Sequence, residues 1–191
     1  AQRYEPPRHS GRGAVGVGGR GWGTTAPNGA CGTSVLVGGM RSGGQGGYAL
    51  NVTDPSKFSE SFLATVLWEF TDADDAELGY SFSQPSIVRM ANGRWAAILG
   101  NGYDNHDADG NVGTKGSSLF ILFLDGPSTG RVWVKGTDYI RIDTASTSVS
   151  SPNGLATPAA VDTDGDGKVN YIYAGDELGN MWRFDVANID P

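Results

Sequence analysis

Asp162, Asp164 and Asp166 stand at alternate positions in the run Asp162-Thr163-Asp164-Gly165-Asp166-Gly167-Lys168-Val169-Asn170. A tightly curled backbone turns alternate side chains to one side. The three carboxylates then converge, and they repel one another unless a cation sits among them. Calcium is a hard cation that takes six to eight oxygens. EF-hand loops supply these from positions 1, 3, 5, 7 (a main-chain carbonyl) and 9, with glycine at position 6 for the sharp turn. Those positions are here Asp162, Asp164, Asp166, the Lys168 carbonyl and Asn170, with Gly167 at the turn. Position 12, a bidentate glutamate in an EF-hand, is Tyr173, and Val169 to Ala174 has β rather than helical character. The run therefore reads as a calcium loop grafted into a β-hairpin, with affinity in roughly the 10⁻⁵ to 10⁻³ M range. A solvated Asp-Gly turn is the competing reading. Five ligand positions and the glycine favour the metal, and a rigidifying role for the ion is favoured over a regulatory one.

Other candidates carry less. Asp104-Asn105-His106-Asp107-Ala108-Asp109-Gly110-Asn111 has alternate acidic spacing at Asp107, Asp109 and Asn111, but no further ligands follow in register, so an exposed loop is expected. Asp72 to Asp75 reads as a solvated turn. Gly38 to Gly47 lacks the Gly-Lys-Ser/Thr ending of a phosphate loop and reads as a glycine-rich hairpin turn. Asn51-Val52-Thr53 fits a glycosylation pattern but lies in an expected strand. His106 beside Asp107 is a neighbour pair and not a triad. No catalytic residue set is found.

The elements that must position the loop are strands. The chain has 191 residues, 38% apolar, and its 30 glycines cluster between short β-branched and aromatic runs. That is the pattern of short strands and tight turns. Residues 1–28 read as an irregular Gly/Arg-rich segment with a short strand at Ala14 to Val17, and residues 29–191 as the folded part. Val35 to Gly38 with Tyr48 to Val52, Ala97 to Gly100 with Leu119 to Phe123, and Tyr171 to Gly175 with Met181 to Asp185 form three strand–loop–strand units. Gln84 to Val88 and Thr157 to Val161 precede two of them; Val66 to Phe70 and Arg131 to Lys135 follow two. Trp68, Trp95, Trp133 and Trp182 fall in these strands as expected core. Four short strands per unit, recurring roughly every 60 to 75 residues, predict an all-β modified β-propeller of about three blades, part of a larger propeller. A β-sandwich is the alternative.

A net charge of −7 disfavours nucleic acid. A lone cysteine, Cys31, excludes an internal disulfide and a CxxC zinc site. No apolar run is long enough to span a membrane, and no signal-peptide core opens the chain.

Several motifs together resemble the C-terminal domain of the type IV pilus tip-associated adhesins, the PilY family. They include Gly46-Gly47-Tyr48-Ala49-Leu50-Asn51-Val52-Thr53-Asp54-Pro55, Leu67-Trp68-Glu69-Phe70-Thr71-Asp72 and Leu78-Gly79-Tyr80-Ser81-Phe82-Ser83-Gln84-Pro85. Gly100-Asn101-Gly102-Tyr103, Asn153-Gly154-Leu155-Ala156-Thr157-Pro158 and Gly179-Asn180-Met181-Trp182-Arg183-Phe184-Asp185 continue the match, which runs from about Val35 to Asp185. The resemblance implies quinoprotein-like blades and a calcium loop at Asp162, Asp164, Asp166, Lys168 and Asn170, through which calcium governs pilus extension and retraction. The family loop usually ends in Asp, and Asn170 departs from it. The resemblance also implies a place at the pilus tip or outer surface, minor pilins and a host or abiotic surface as partners, and roles in adhesion and twitching motility. The family domain is larger than this chain. The leading expectation is a non-enzymatic calcium-binding module of such an adhesin. A calcium-dependent quinoprotein dehydrogenase and a structural filament subunit are the alternatives.

Overall fold

Ser118-Leu119-Phe120-Ile121-Leu122-Phe123 is apolar at successive positions after its serine, which suits a strand buried on both faces. The computed structural model describes residues 33–59, 65–105, 113–114, 116–144 and 152–189, and the main chain of 15–22. It forms three antiparallel sheets and, among the described residues, no α-helix. The first sheet is β1 (Val15–Trp22), β2 (Thr33–Gly39), β3 (Gly46–Asn51) and β4 (Val66–Thr71), paired in chain order. The second is β5 (Ser86–Arg89), β6 (Trp95–Gly100), β7 (Ser118–Phe123) and β8 (Tyr139–Asp143), also in chain order. The third holds β9 (Ala159–Val161), β10 (Tyr171–Gly175) and β11 (Met181–Asp185). Consecutive strands joined by hairpins into separate small sheets are the blades of a β-propeller.

The second sheet lies between the other two, and its two faces build two cores. Ala97, Leu99, Phe120 and Leu122 pack against Val35, Val37, Ala49, Trp68 and Phe70 of the first sheet. Ala96, Ile98, Leu119, Ile121 and Phe123 pack against Ile172, Ala174 and Phe184 of the third. Period-2 alternation thus sends adjacent residues of β6 and β7 into different cores. This explains why these two strands read as continuous apolar runs, whereas β4 and β10 alternate between buried and exposed positions.

The strand expected at Ala14 to Val17 is instead β1, Val15–Trp22, paired with β2. The prolines of the two Gln/Thr-Pro segments stand just before β5 and β9, where no ladder donor is required. The expected fourth strand at Arg131 to Lys135 is corrected. That segment is a turn, and the strand that pairs with β7 is Tyr139–Asp143. Trp133 accordingly lies outside any strand, although it is core. Its ring meets those of Trp68 and Phe70 edge-on at 5.4 and 5.1 Å. The Asp138 carboxylate, fully buried, accepts the Ser128 and Val134 N–H groups, both at 2.9 Å, and holds the segment as a loop.

Candidate metal centre

The loop between β9 and β10 is pinned where it meets the fold. Asn170 N–H donates to the Val161 carbonyl at 3.0 Å, closing the hairpin. Val169 is buried in the core between the second and third sheets, and its N–H donates to the Arg89 carbonyl at the end of β5 at 2.9 Å. The polar residues Asp162 to Gly167 are exposed on this rigid base.

Within the loop, Gly165 and Gly167 adopt φ of +76° and +82°, a left-handed region that disfavours other residues. Their conformations turn main-chain N–H groups inward. Gly165 N–H donates to one Asp162 carboxylate oxygen at 2.7 Å and Gly167 N–H to the other at 2.9 Å. Lys168 N–H donates to Asp166 at 2.8 Å. The curl brings a carboxylate oxygen from each of Asp162, Asp164 and Asp166 within 4.8 Å of the others. The Gly167 and Gly165 hydrogen bonds hold the Asp162 carboxyl below the usual carboxylate range. The hydrogen bonds from Lys168, side chain first and then main chain, do the same for Asp166. Both therefore stay ionised at neutral pH. One cation opposes the cluster directly: the Lys168 ammonium stands 3.1 Å from Asp166. An all-oxygen, multiply anionic donor set is what hard divalent cations take, so the residues fit such an ion.

The three acidic members of the expected ligand set thus converge. The Asn170 side chain is engaged within the loop. Its side-chain oxygen accepts from Thr163 N–H at 2.6 Å and from the Thr163 hydroxyl at 2.9 Å, fastening the two ends of the loop together. The Asn170 side chain therefore acts here as a clasp. Thr163 was not singled out by the ligand spacing, because it occupies a position between ligands.

The other candidates resolve differently. Asp107, Asp109 and Asn111, with His106, lie outside the described residues. The turn Asp72 to Asp75 is not simply solvated. Asp75 is buried, accepts from the Tyr139 hydroxyl at 2.8 Å and pairs with Arg141. Gly38 to Gly47 spans the end of β2, the connection 40–45 with a short 3-10 turn at Arg41–Gly43, and the start of β3. Sequence reading also missed Asp176, in the β10–β11 turn. It accepts from Asn153 and from the Asn180 side chain, both at 2.9 Å, and from Trp182 Nε1 at 2.8 Å. These bonds outweigh its partial burial and bring its carboxyl down to about 2.

A family model described as the PilY1 β-propeller domain matches residues 23–190. A Xylella fastidiosa protein named type IV pilus biogenesis factor PilY1 homolog is 41% identical over 160 residues, covering 83% of this chain and 10% of that protein. Type IV pilus biogenesis factor PilY1 of Pseudomonas aeruginosa is 37% identical over 153 residues, covering 80% and 11%. The crystal structure of the Pseudomonas aeruginosa PilY1 C-terminal domain superposes with a TM-score of 0.63 at 35% identity, over 81% of this chain and 27% of that one. The chain spans about a tenth of the length of the curated relatives it matches.

Proposed function

This chain belongs to the PilY1 β-propeller family, and from that membership we propose that it is a calcium-binding module of a type IV pilus tip-associated adhesin. In this reading it supports pilus biogenesis, calcium-regulated extension and retraction, twitching motility and attachment. It works at the pilus tip on the cell surface, in contact with minor pilins and with a host or abiotic surface. The family-model match over residues 23–190, together with the similarity to proteins named as pilus biogenesis factors, carries the proposal. The relatives' names describe biogenesis factors and not enzymes.

The convergence of Asp162, Asp164 and Asp166 supports the calcium part. The loop 162–170 carries three carboxylates and one ammonium, a formal charge of −2 that one calcium ion brings to zero. Bound calcium would supply the positive centre that the carboxylates surround. The loop's own residues would do the rest. Asp162 orients the glycine amides, Asn170 and Thr163 hold the ends together, and Val169 ties the hairpin to the neighbouring sheet. Calcium would thereby fix the β9–β10 hairpin and remove a repulsive charge cluster from the surface it presents.

The test is a calorimetric calcium titration of the chain beside Asp164→Ala. One site in the parent, lost in the variant, is expected. The same substitution in the full-length gene should then impair twitching and attachment. Unchanged piliation, attachment and twitching after deletion of the gene would sink the pilus assignment, whatever the titration shows.

A further inference from the structure

Lys168 holds Asp166 from two sides. Its main-chain N–H donates to one carboxylate oxygen at 2.8 Å, and its ammonium stands 3.1 Å from the other. An ion pair on a surface is usually worth little, because a long side chain must be ordered to make it. Lys57 and Asp54 are a pair of that kind, 3.6 Å apart, with the lysine side chain 60% exposed. Lys168 differs in its anchorage. Its neighbour Val169 is buried, with its N–H on the Arg89 carbonyl at 2.9 Å, and the Lys168 side chain is only 35% exposed. Less freedom is therefore lost when this ammonium docks.

The surrounding charges leave the place to Lys168. Among the described residues no other cationic side chain pairs with Asp162, Asp164 or Asp166. Arg89, at the end of β5, turns its Nε to the Gly93 carbonyl at 3.3 Å. Arg94 is held by Asp125 and by the Thr137 carbonyl, at 2.8 and 2.9 Å. Arg183 stands over the Tyr171 ring at 5.1 Å. Asp185, opposite Tyr171 in the β10–β11 ladder, accepts from Ala187 N–H at 3.2 Å.

The loop's two kinds of donor respond differently to a divalent cation. A carboxylate oxygen has more than one lone pair, so an amide N–H can stay while the oxygen ligates an ion. An ammonium on the same carboxylate meets the ion as a like charge at close range. We propose that Lys168 is a built-in competitor of calcium: its ammonium occupies the acidic trio in the empty loop, withdraws on calcium binding, and so sets the calcium concentration at which the loop fills. The inference rests on the calcium reading of this loop. By ligand spacing the same residue offers its carbonyl to the ion, so Lys168 contributes a ligand through its main chain and an opposing charge through its side chain. A neutral side chain there leaves the carbonyl in place and changes the formal charge of residues 162–170 from −2 to −3.

The test compares the parent chain with Lys168→Gln, Lys168→Met and Lys168→Arg by calorimetric calcium titration. It is run in about 0.1 M and about 1 M potassium chloride, between which the Debye length falls from about 10 to about 3 Å. At the lower salt both neutral variants should bind calcium about three- to tenfold more tightly than the parent, the size of a screened repulsion between a single and a double charge near a surface. At the higher salt that advantage should fall below about twofold. Lys168→Arg, which keeps the charge, should bind no more tightly than the parent. The Lys168 side-chain NMR signals of the parent should shift with added calcium and saturate together with the calorimetric site. Binding by a neutral variant where the parent shows none also supports the proposal. Equal or weaker binding by both neutral variants overturns it and leaves the calcium reading standing. An advantage undiminished at the higher salt overturns it too, since loop shape and not charge would then be the cause. If neither the parent nor any variant takes up calcium, the calcium reading itself fails and this inference falls with it.

Discussion

Asp162 engages both carboxylate oxygens inside its own loop, accepting from Gly165 and Gly167, whereas Asp164 accepts one long bond, 3.3 Å from Asp166 N–H. The two residues should therefore fail differently. Asp162→Ala is expected to loosen the loop even without metal, seen as faster hydrogen exchange at Gly165 and Gly167. Asp164→Ala should leave those amides protected and lose only cation affinity. Asp176 gives a pH prediction. Its folded carboxyl titrates at about 2, below the ordinary aspartate value of 3.8, so its contribution to stability is fully present above the unfolded value and is lost as pH falls from about 4 toward 2. A carboxyl-carbon NMR titration should place its midpoint near 2, and Trp182→Phe, which removes one of its donors, should move the midpoint upward. At this scale the sequence was informative about the acidic trio, because alternate carboxylates and glycines are local signals. It did not disclose that the Asn170 side chain clasps Thr163, since a side-chain amide can serve as ligand or as clasp at the same spacing.

At the level of the strand, the instructive case is Arg131-Val132-Trp133-Val134-Lys135. Its alternation is strand-like, yet the Asp138 carboxylate captures the Val134 and Ser128 amides and bends it into a loop. The strand beside β7 is Tyr139-Ile140-Arg141-Ile142-Asp143 instead, and its Arg141 and Asp143 form an ion pair at 2.7 Å. A buried aspartate competing for main-chain donors is a tertiary effect that periodicity does not contain. The hairpins Tyr171–Gly175 with Met181–Asp185 and Ala97–Gly100 with Leu119–Phe123 were legible because period and turn residues agree locally. Trp133→Phe tests the loop's role. It keeps an aromatic ring against Trp68 and Phe70 but removes the donor to the Glu69 carbonyl, and should cost about 1 kcal/mol in urea unfolding. Asp138→Ala should cost more, about 2–4 kcal/mol, because two part-buried amides lose their acceptor together.

Across the whole molecule, the sheets are joined where chain crosses chain. Asn101 follows β6 directly and is fully buried, and all of its side-chain polar groups are engaged. Its amide nitrogen donates to the Glu77 carbonyl at 3.1 Å, beyond the first sheet, and to the Gly116 carbonyl at 2.9 Å. Its oxygen accepts from Ser118 N–H in β7 at 3.0 Å and from Leu155 N–H, beside the third sheet, at 2.9 Å. One side chain therefore bridges segments belonging to all three blades. Glycines allow the approach: a Cβ on Gly100 would lie 2.2 Å from the Leu155 carbonyl oxygen, and one on Gly154 would lie 1.9 Å from that of Gly102. Replacing Asn101 by alanine leaves two interior N–H groups without acceptors. The Glu77 and Gly116 carbonyls keep a fallback donor in the Asn105 amide, at 3.5 and 3.3 Å. Two orphaned donors at about 1–3 kcal/mol each put the expected loss at roughly 2–6 kcal/mol. The Ser118 and Leu155 amides should exchange fastest in the Asn101 variant. If the bridge couples the blades, the urea transition of that variant should also broaden, with the third sheet opening before the second. A sharp transition at the parent midpoint would show instead that the two apolar interfaces, Phe70 with Phe120 and Ile121 with Ile172, hold the blades together without it.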